Sequence, residues 1–418
     1  MSRTNAAWAG MLLIAVGLAF SRSAMTAGMF VFLAVGLSAM GRAQFWRNLG
    51  QNPLLWLPLT WYGWHVISIA YTTNLEQWYY LLRIKLPYVF MPLGFAAIGV
   101  FSARQTTALL WVFVACITIV SGVTLAQYLA DVDAGNARLL MSKEIRIAFG
   151  IVHVTYGLMQ VLAAYACYAL WRTHAARNQI AWARLAAILG VCLVACTMLF
   201  ASRTGWLALL ATAFLLWLRA LVALPAQRLK TAAAGLVAVL LLAGATLLPS
   251  VQNKLQNSVE DVRYFMEGRR LDDWSIGKRL AAAQTAWHVG LQHPVFGVGL
   301  ADLWDEMQRQ YAHEPFRFDN PAERAASHNQ FLEVFAGFGL IGLALFGAHL
   351  FWPLRKRRRR AQAHTGAFYG VMLAGFCTDA LVEAQLGINL FLFFYFLWFV
   401  NDDTATPMDL GRMPNLQA

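Results

Sequence analysis

Arg203, Arg279 and His328 are the residues of this 418-residue chain best placed to do chemistry. Each stands at the edge of an apolar stretch, and ionisable groups at membrane depth are costly enough to mark function. Arg203 lies in FASRTGWLAL, at a tight turn between two apolar runs. A guanidinium is always charged and meets phosphate with a two-pronged fork, which suits an anion clamp. At a helix end it also serves as an interfacial anchor. Arg279 lies in SIGKRLAAAQTAWHVGLQHPVFGVG, where Ile276, Leu280, Ala283 and Trp287 recur at helical spacing. At ~100° per residue, Arg279 projects about 60° from that stripe, while Lys278 faces the opposite, solvated side. A rim salt bridge is the plainer use of such a residue.

His328 opens the run SHNQFLEVFAGFGLIG, residues 327–342. Ser327 and Gln330 have the form of a capping box, S-x-x-Q, which starts a helix at this point. His328 then falls in the first turn, where the positive end of the helix dipole favours a neutral ring that can take a proton. Residues 328, 332, 335, 339 and 342 share one helix face. Gly339 and Gly342 thus lie beneath the histidine, where a neighbouring helix approaches closely. Two permanent cations and a neutral base on one face fit a reaction in which a diphosphate leaves a lipid carrier. The cations stabilise the charge on the departing phosphate, and the base takes the proton of an attacking hydroxyl. The scheme requires no metal and no cofactor. DLWDE (302–306) and the pair Asp272-Asp273 lack the carboxylate arrangement of a metal motif and read as solvated or capping acids.

These residues must be held by membrane helices. The chain is 59% hydrophobic and only 13% charged, with a mean hydropathy of +0.52, whereas a soluble domain keeps about a quarter of its residues charged. Apolar runs near the ~20 residues that span a bilayer recur throughout, and they are continuous rather than alternating, which argues against a β-barrel. The expected fold is all-α, a single integral membrane domain over 1–418 with about 12 spans. The spans are expected near 7–21, 25–41, 53–72, 86–101, 106–130, 147–171, 181–201, 204–219, 231–250, 329–353, 365–383 and 386–401. A polar insert, 251–327, separates the ninth from the tenth, and loops of that length carry structure or function of their own. Basic residues favour short loops on one side, ending in RKRRRR at 355–360, so both termini are expected in the cytoplasm and the insert outside. The net charge of +12 is scattered across loops, which argues against nucleic acid. Cys116, Cys167, Cys192, Cys196 and Cys377 fall inside apolar spans and read as buried free thiols.

The segment His328-Asn329, nine residues, then Gly339-Leu340-Ile341-Gly342 resembles the H-[NSQ]-x9-G-x-x-G signature of the O-antigen ligases. SRTGWLAL and GKRLAAAQTAWHVGLQHPVFGVG resemble two further stretches of the wider O-antigen ligase and polymerase superfamily, and the resemblance covers roughly residues 185 to 345. It implies a GT-C-like, metal-independent, inverting glycosyltransferase of the bacterial inner membrane. Such an enzyme moves O-antigen from undecaprenyl diphosphate to the lipid A-core oligosaccharide on the periplasmic face. By that resemblance Arg203 and Arg279 bind the diphosphate and His328 is the base. Arg146, in KEIRIAFGIVH, resembles a basic residue before a span in these enzymes, and Arg83 and Lys85, in LLRIKLP, are positioned to add positive charge. A polymerase, a protein O-oligosaccharyltransferase and, from another class, a lipid-linked glycan transporter are the alternatives. The transporter would need broken helices in paired halves, and the sequence offers no such pair.

Overall fold

The computed structural model describes residues 2–140, 144–200, 202–223, 235, 249–272, 275–360 and 362–401. The first half of the chain runs α1 Arg3–Phe20, α2 Arg22–Leu37, α3 Ala43–Gln51, α4 Pro53–Ile67, α5 Leu75–Ile84, α6 Pro87–Ala97, α7 Ala103–Ala130, α8 Val132–Leu140 and α9 His153–Ala176. It continues through α10 Ile180–Leu199, α11 Arg203–Ala223, α12 Pro249–Met266, α13 Ser275–Gln292, α14 Leu303–Tyr311, α15 Gln330–Phe351, α16 Arg357–Arg360, α17 Ala363–Thr378 and α18 Gln385–Tyr395.

Among the described residues six helices are long and apolar enough to cross a membrane: α1, α7, α9, α10, α11 and the one beginning at Gln330. Other expected spans are helical but shorter. The second is 16 residues long, and the fourth is an 11-residue helix with Pro92 inside it. The expected span 231–250 lies almost wholly outside the described residues.

The last helix is the middle of the bundle. Phe391, Phe393, Phe394 and Tyr395 are fully buried, as are the residues of the π-helical turn that follows, nearly to its end. A helix that is apolar all round has no face to give to water, and the interior is where it goes. By contrast α10 and α11 leave Ile188, Val191, Phe214 and Val222 more than half exposed, the outward apolar surface expected against lipid. Cys116 and Cys167 are buried as expected, but Cys192 and Cys377 are exposed; an apolar span has a lipid-facing side, and periodicity does not say which side a cysteine takes.

Two packing arrangements position the site. Gly157 of α9 lies against Gly205 of α11, so close that a Cβ on Gly157 would stand 2.9 Å from the Gly205 Cα. Ser202 takes the Gly205 N–H on its hydroxyl, and this fixes the start of α11 at Arg203. The second arrangement is a break in α15. Gly339 has φ 62 and ψ −160 inside the helix, a region essentially reserved for glycine. The loop after α13 enters that break. Leu340 N–H donates to Pro294 O and Ile341 N–H to Val295 O, while Val298 and Gly299 N–H groups donate to Ala336 and Gly337. Non-helical backbone at membrane depth is tolerated where protein answers its polar groups, and this loop does so. The expected role of Gly339 as a smooth seat for a neighbouring helix is therefore corrected: it admits a loop. Gly342 makes room for the side chain of Phe338, displaced by the same break.

Candidate functional site

The C-terminal end of α17 is the hub. Three successive residues there, Cys377, Thr378 and Asp379, receive contacts from three sides. Asn329 donates its amide to Cys377 O at 3.4 Å. Arg279 donates from Nη1 to Thr378 O at 3.4 Å. His328 sets Nδ1 3.3 Å from Asp379 Oδ1. Cations and amide donors suit a helix C-terminus, whose last carbonyls lack helical partners.

The start of α15 differs from the expected capping box. Asn329 is the N-cap, and its side-chain oxygen accepts from the N–H groups of Phe331 and Leu332. Asparagine is among the best residues for this task. Ser327 instead donates to Glu333, and Gln330 spans to the next segment, donating to Glu383 Oε1 and accepting from Val382 N–H. The cause is the backbone of His328, which has φ 48. That left-handed residue turns the chain sharply, so the Ser327 hydroxyl meets Asn329 and the Glu333 side chain and does not cap the first-turn N–H groups. His328 accordingly precedes the helix rather than lying in its first turn, and the group that faces its ring is a carboxylate. A carboxylate only accepts, so Nδ1 of the neutral ring carries the hydrogen and Nε2 keeps the lone pair.

Arg279 and His328 line one cavity of about 280 Å3 with Ser275, Lys278, Glu323 and Ala325. Lys278 was expected on the opposite, solvated side. It lines this cavity too, and pairs with Glu323 at 2.5 Å. The reason is the packing of α13. Its buried face is Gly277, Ala281, Ala282, Thr285, Ala286 and Val289, while Trp287 of the expected stripe is half exposed. Small residues let this helix pack closely on α15, which turns Lys278 and Arg279 to flank the same opening.

Arg203 does not line that cavity. It lies near Asp261, a buried carboxylate of α12 that accepts the Ile276 N–H at 2.7 Å at the start of α13. Burial pushes the Asp261 carboxyl above its ordinary range, with the Ile276 N–H and then the Arg203 guanidinium partly offsetting it. Among the described residues the Nε of Arg203 finds no hydrogen-bond partner.

The remaining expected residues are dispersed. Arg146 is exposed, before α9. Arg83 is exposed, with its guanidinium 6.0 Å from the ring centre of Tyr80. Lys85 is fully buried and committed to Glu383 at 2.6 Å and to Val382 O, so its charge is already answered.

Asp302, expected as a solvated or capping acid, is not solvated. It is buried, and its carboxylate takes four hydrogen bonds of 2.8 Å from Thr72 Oγ1, Thr73 N–H and Oγ1, and Asn74 N–H. It thereby holds the turn 72–74 before α5, whose own N-cap is Asn74, and staples it to the start of α14. Burial alone would raise its carboxyl; the donors of Thr73, Thr72 and Asn74 together outweigh burial and hold it below the ordinary 3.8.

Asp379 was missed as a site residue. Its signal was present, a carboxylate in an apolar run, but nothing local named its partner. No curated protein matches the chain. A family model described as O-antigen ligase matches residues 185–347, the stretch that carries Arg203, Arg279 and His328 but stops short of Asp379. Over those residues the chain is similar to the O-antigen ligase family.

Proposed function

We propose that the protein transfers O-antigen polysaccharide from undecaprenyl diphosphate to lipid A-core oligosaccharide, on the periplasmic face of the bacterial inner membrane. The observation that carries this reading is the shared cavity of Arg279 and His328, with Asp379 behind the ring. A hydroxyl of the acceptor attacks the anomeric carbon of the first donor sugar. The new carbon–oxygen bond forms as the bond to the diphosphate breaks on the opposite side, which inverts the centre. Nε2 of His328 takes the hydroxyl proton, and Asp379 holds the resulting imidazolium. The diphosphate leaves with its charge against Arg279, whose fork is preorganised by Thr378. Arg203, with an unanswered Nε among the described residues, supplies a second donor to the far phosphate as the donor spans from α13 toward α11. Lys278 serves less, because Glu323 already neutralises it.

The test is transfer by purified full-length protein from carrier-linked glycan to lipid A-core, with a chelator present. His328→Ala is expected to lower transfer by about 10²–10⁴-fold while leaving thermal unfolding unchanged. Transfer by that variant at the wild-type rate overturns the site. Elongation of a second carrier-linked glycan, with lipid A-core untouched, identifies a polymerase instead.

A further inference from the structure

The segment Ala325–His328 is a wall between two cavities. Ala325 and His328 line the cationic one already described. Ala326, between them, lines a second cavity of about 170 Å3 enclosed by α5, α14 and the start of α15. Its polar groups are Gln77, Glu333 and Glu383, and its rings are Tyr80 and Trp304. The two rings are 47% and 46% exposed, so neither is consumed by the core.

The two cavities differ in the charge they present. Behind Glu383 lies Lys85, which pairs with it and is 0% exposed, so the lining offers carboxylate oxygens and holds no cation of its own. Glu333 receives the Ser327 hydroxyl on one oxygen, and Glu383 receives Lys85 and Gln330. Each carboxylate oxygen has two lone pairs, so acceptor positions remain at both. A diphosphate finds no cation among these lining residues to bind its charge. A polyol is the opposite case. Its hydroxyls donate to carboxylates, its C–H face lies on an indole, and the Gln77 amide can donate or accept. Few polar groups converging in a mostly apolar pocket is the usual form of a small-ligand site. The walls are also fixed in advance: α14, which carries Trp304, is stapled to α5, which carries Gln77 and Tyr80, by the four hydrogen bonds to Asp302.

We propose that this cavity is a saccharide subsite, holding one sugar of the acceptor oligosaccharide beside the sugar whose hydroxyl reacts. The proposal rests on the transferase reading above. The cationic cavity takes the donor diphosphate, and the wall at 325–328 places the acceptor on its other side, next to His328.

The experiment is steady-state transfer by the full-length protein, with carrier-linked glycan and lipid A-core varied separately, for wild type, Trp304→Ala and Trp304→Phe. Trp304→Ala is expected to raise the acceptor KM roughly tenfold, the worth of one aromatic contact, with donor KM and kcat at saturating acceptor within about twofold. Trp304→Phe, which keeps a ring, recovers most of the loss. Glu333→Gln is expected to raise the same KM. An unchanged acceptor KM in Trp304→Ala overturns the proposal, and so does a rise in donor KM alone, which would assign the cavity to the donor glycan. If the wild type ignores lipid A-core and extends a second carrier-linked glycan, the ligase reading falls. The same KM split, measured with that glycan as acceptor, then decides the subsite on its own.

Discussion

The Asp379 carboxylate stands 3.3 Å from Nδ1 of His328, and the two residues come from the ends of neighbouring helices, α17 and α15. Each side chain is about one-third exposed, so the pair is reachable by substrate yet shielded on one side. The carboxylate decides which ring nitrogen is available. Asp379→Asn keeps the shape but offers an amide N–H to Nδ1, which shifts the hydrogen to Nε2 and removes the base. Transfer kcat is expected to fall by about 10²–10⁴-fold with unfolding temperature unchanged. His328→Ala is expected to lose a similar factor, since a positioned base contributes about 10²–10⁴. Steady-state kinetics on both variants, with the double variant no worse than His328→Ala alone, checks that the two act as a unit.

Arg279 is distinguished from Lys278 by what already neutralises each. Arg279→Ala is expected to lower kcat/KM for the lipid-diphosphate donor by about 10²-fold, as for the loss of one preorganised donor to a developing anion. Arg279→Lys keeps the charge but loses the fork, and recovers only part. Lys278→Ala is expected to cost much less, because Glu323 holds that ammonium. Donor-dependent rates for the three variants decide the order.

The break in α15 makes a stability prediction. A Cβ at Gly339 would stand 2.3 Å from the Val295 backbone, and the residue sits at φ +62. Gly339→Ala is expected to destabilise by about 3 kcal/mol or more, from strained backbone and overpacking together. Gly347, on the same helix, has nothing within 4 Å of a built Cβ. Gly347→Ala is expected to be neutral or slightly stabilising. Thermal unfolding of the detergent-solubilised variants separates the two.

Asp302 gives a pH dependence. Its carboxyl is held below 3.8 in the folded protein, so the stabilisation it supplies is fully present above the unfolded value of about 3.9. It is lost as pH falls through the lower, folded value. The staple therefore holds without change from pH 5 to 8. Asp302→Asn faces amide hydrogens toward N–H and O–H donors, and is expected to cost about 2–4 kcal/mol at pH 7. Unfolding measured at pH 7 and at pH 3 is expected to show the difference between wild type and variant shrinking at the lower pH.

The sequence made the charged residues and their order legible, but not their partners. Arg279 and His328 were read from local pattern, and the structure brings them to one cavity. The partner of His328 lies on a different helix, and helical periodicity reports which side is apolar, not which neighbour covers it. The same limit hid the pairing of Lys85 with Glu383. On α13 the larger apolar residues suggested one packed stripe, while the glycine and alanines set the true one, because close approach is won by small side chains. At the start of α15 the S-x-x-Q pattern was present, and Asn329 did the capping. A single left-handed residue, His328, moved the helix start by two positions, and no propensity signals that.

The break at Gly339 sets an order of construction. The amides of Leu340 and Ile341 are answered by Pro294 and Val295, which leave the ribosome before them. An unanswered amide in hydrocarbon costs several kcal/mol, so this helix cannot be completed as an independent rod. Its final form waits for a loop made earlier, and the polar segment before it is thereby a template for the membrane-embedded part.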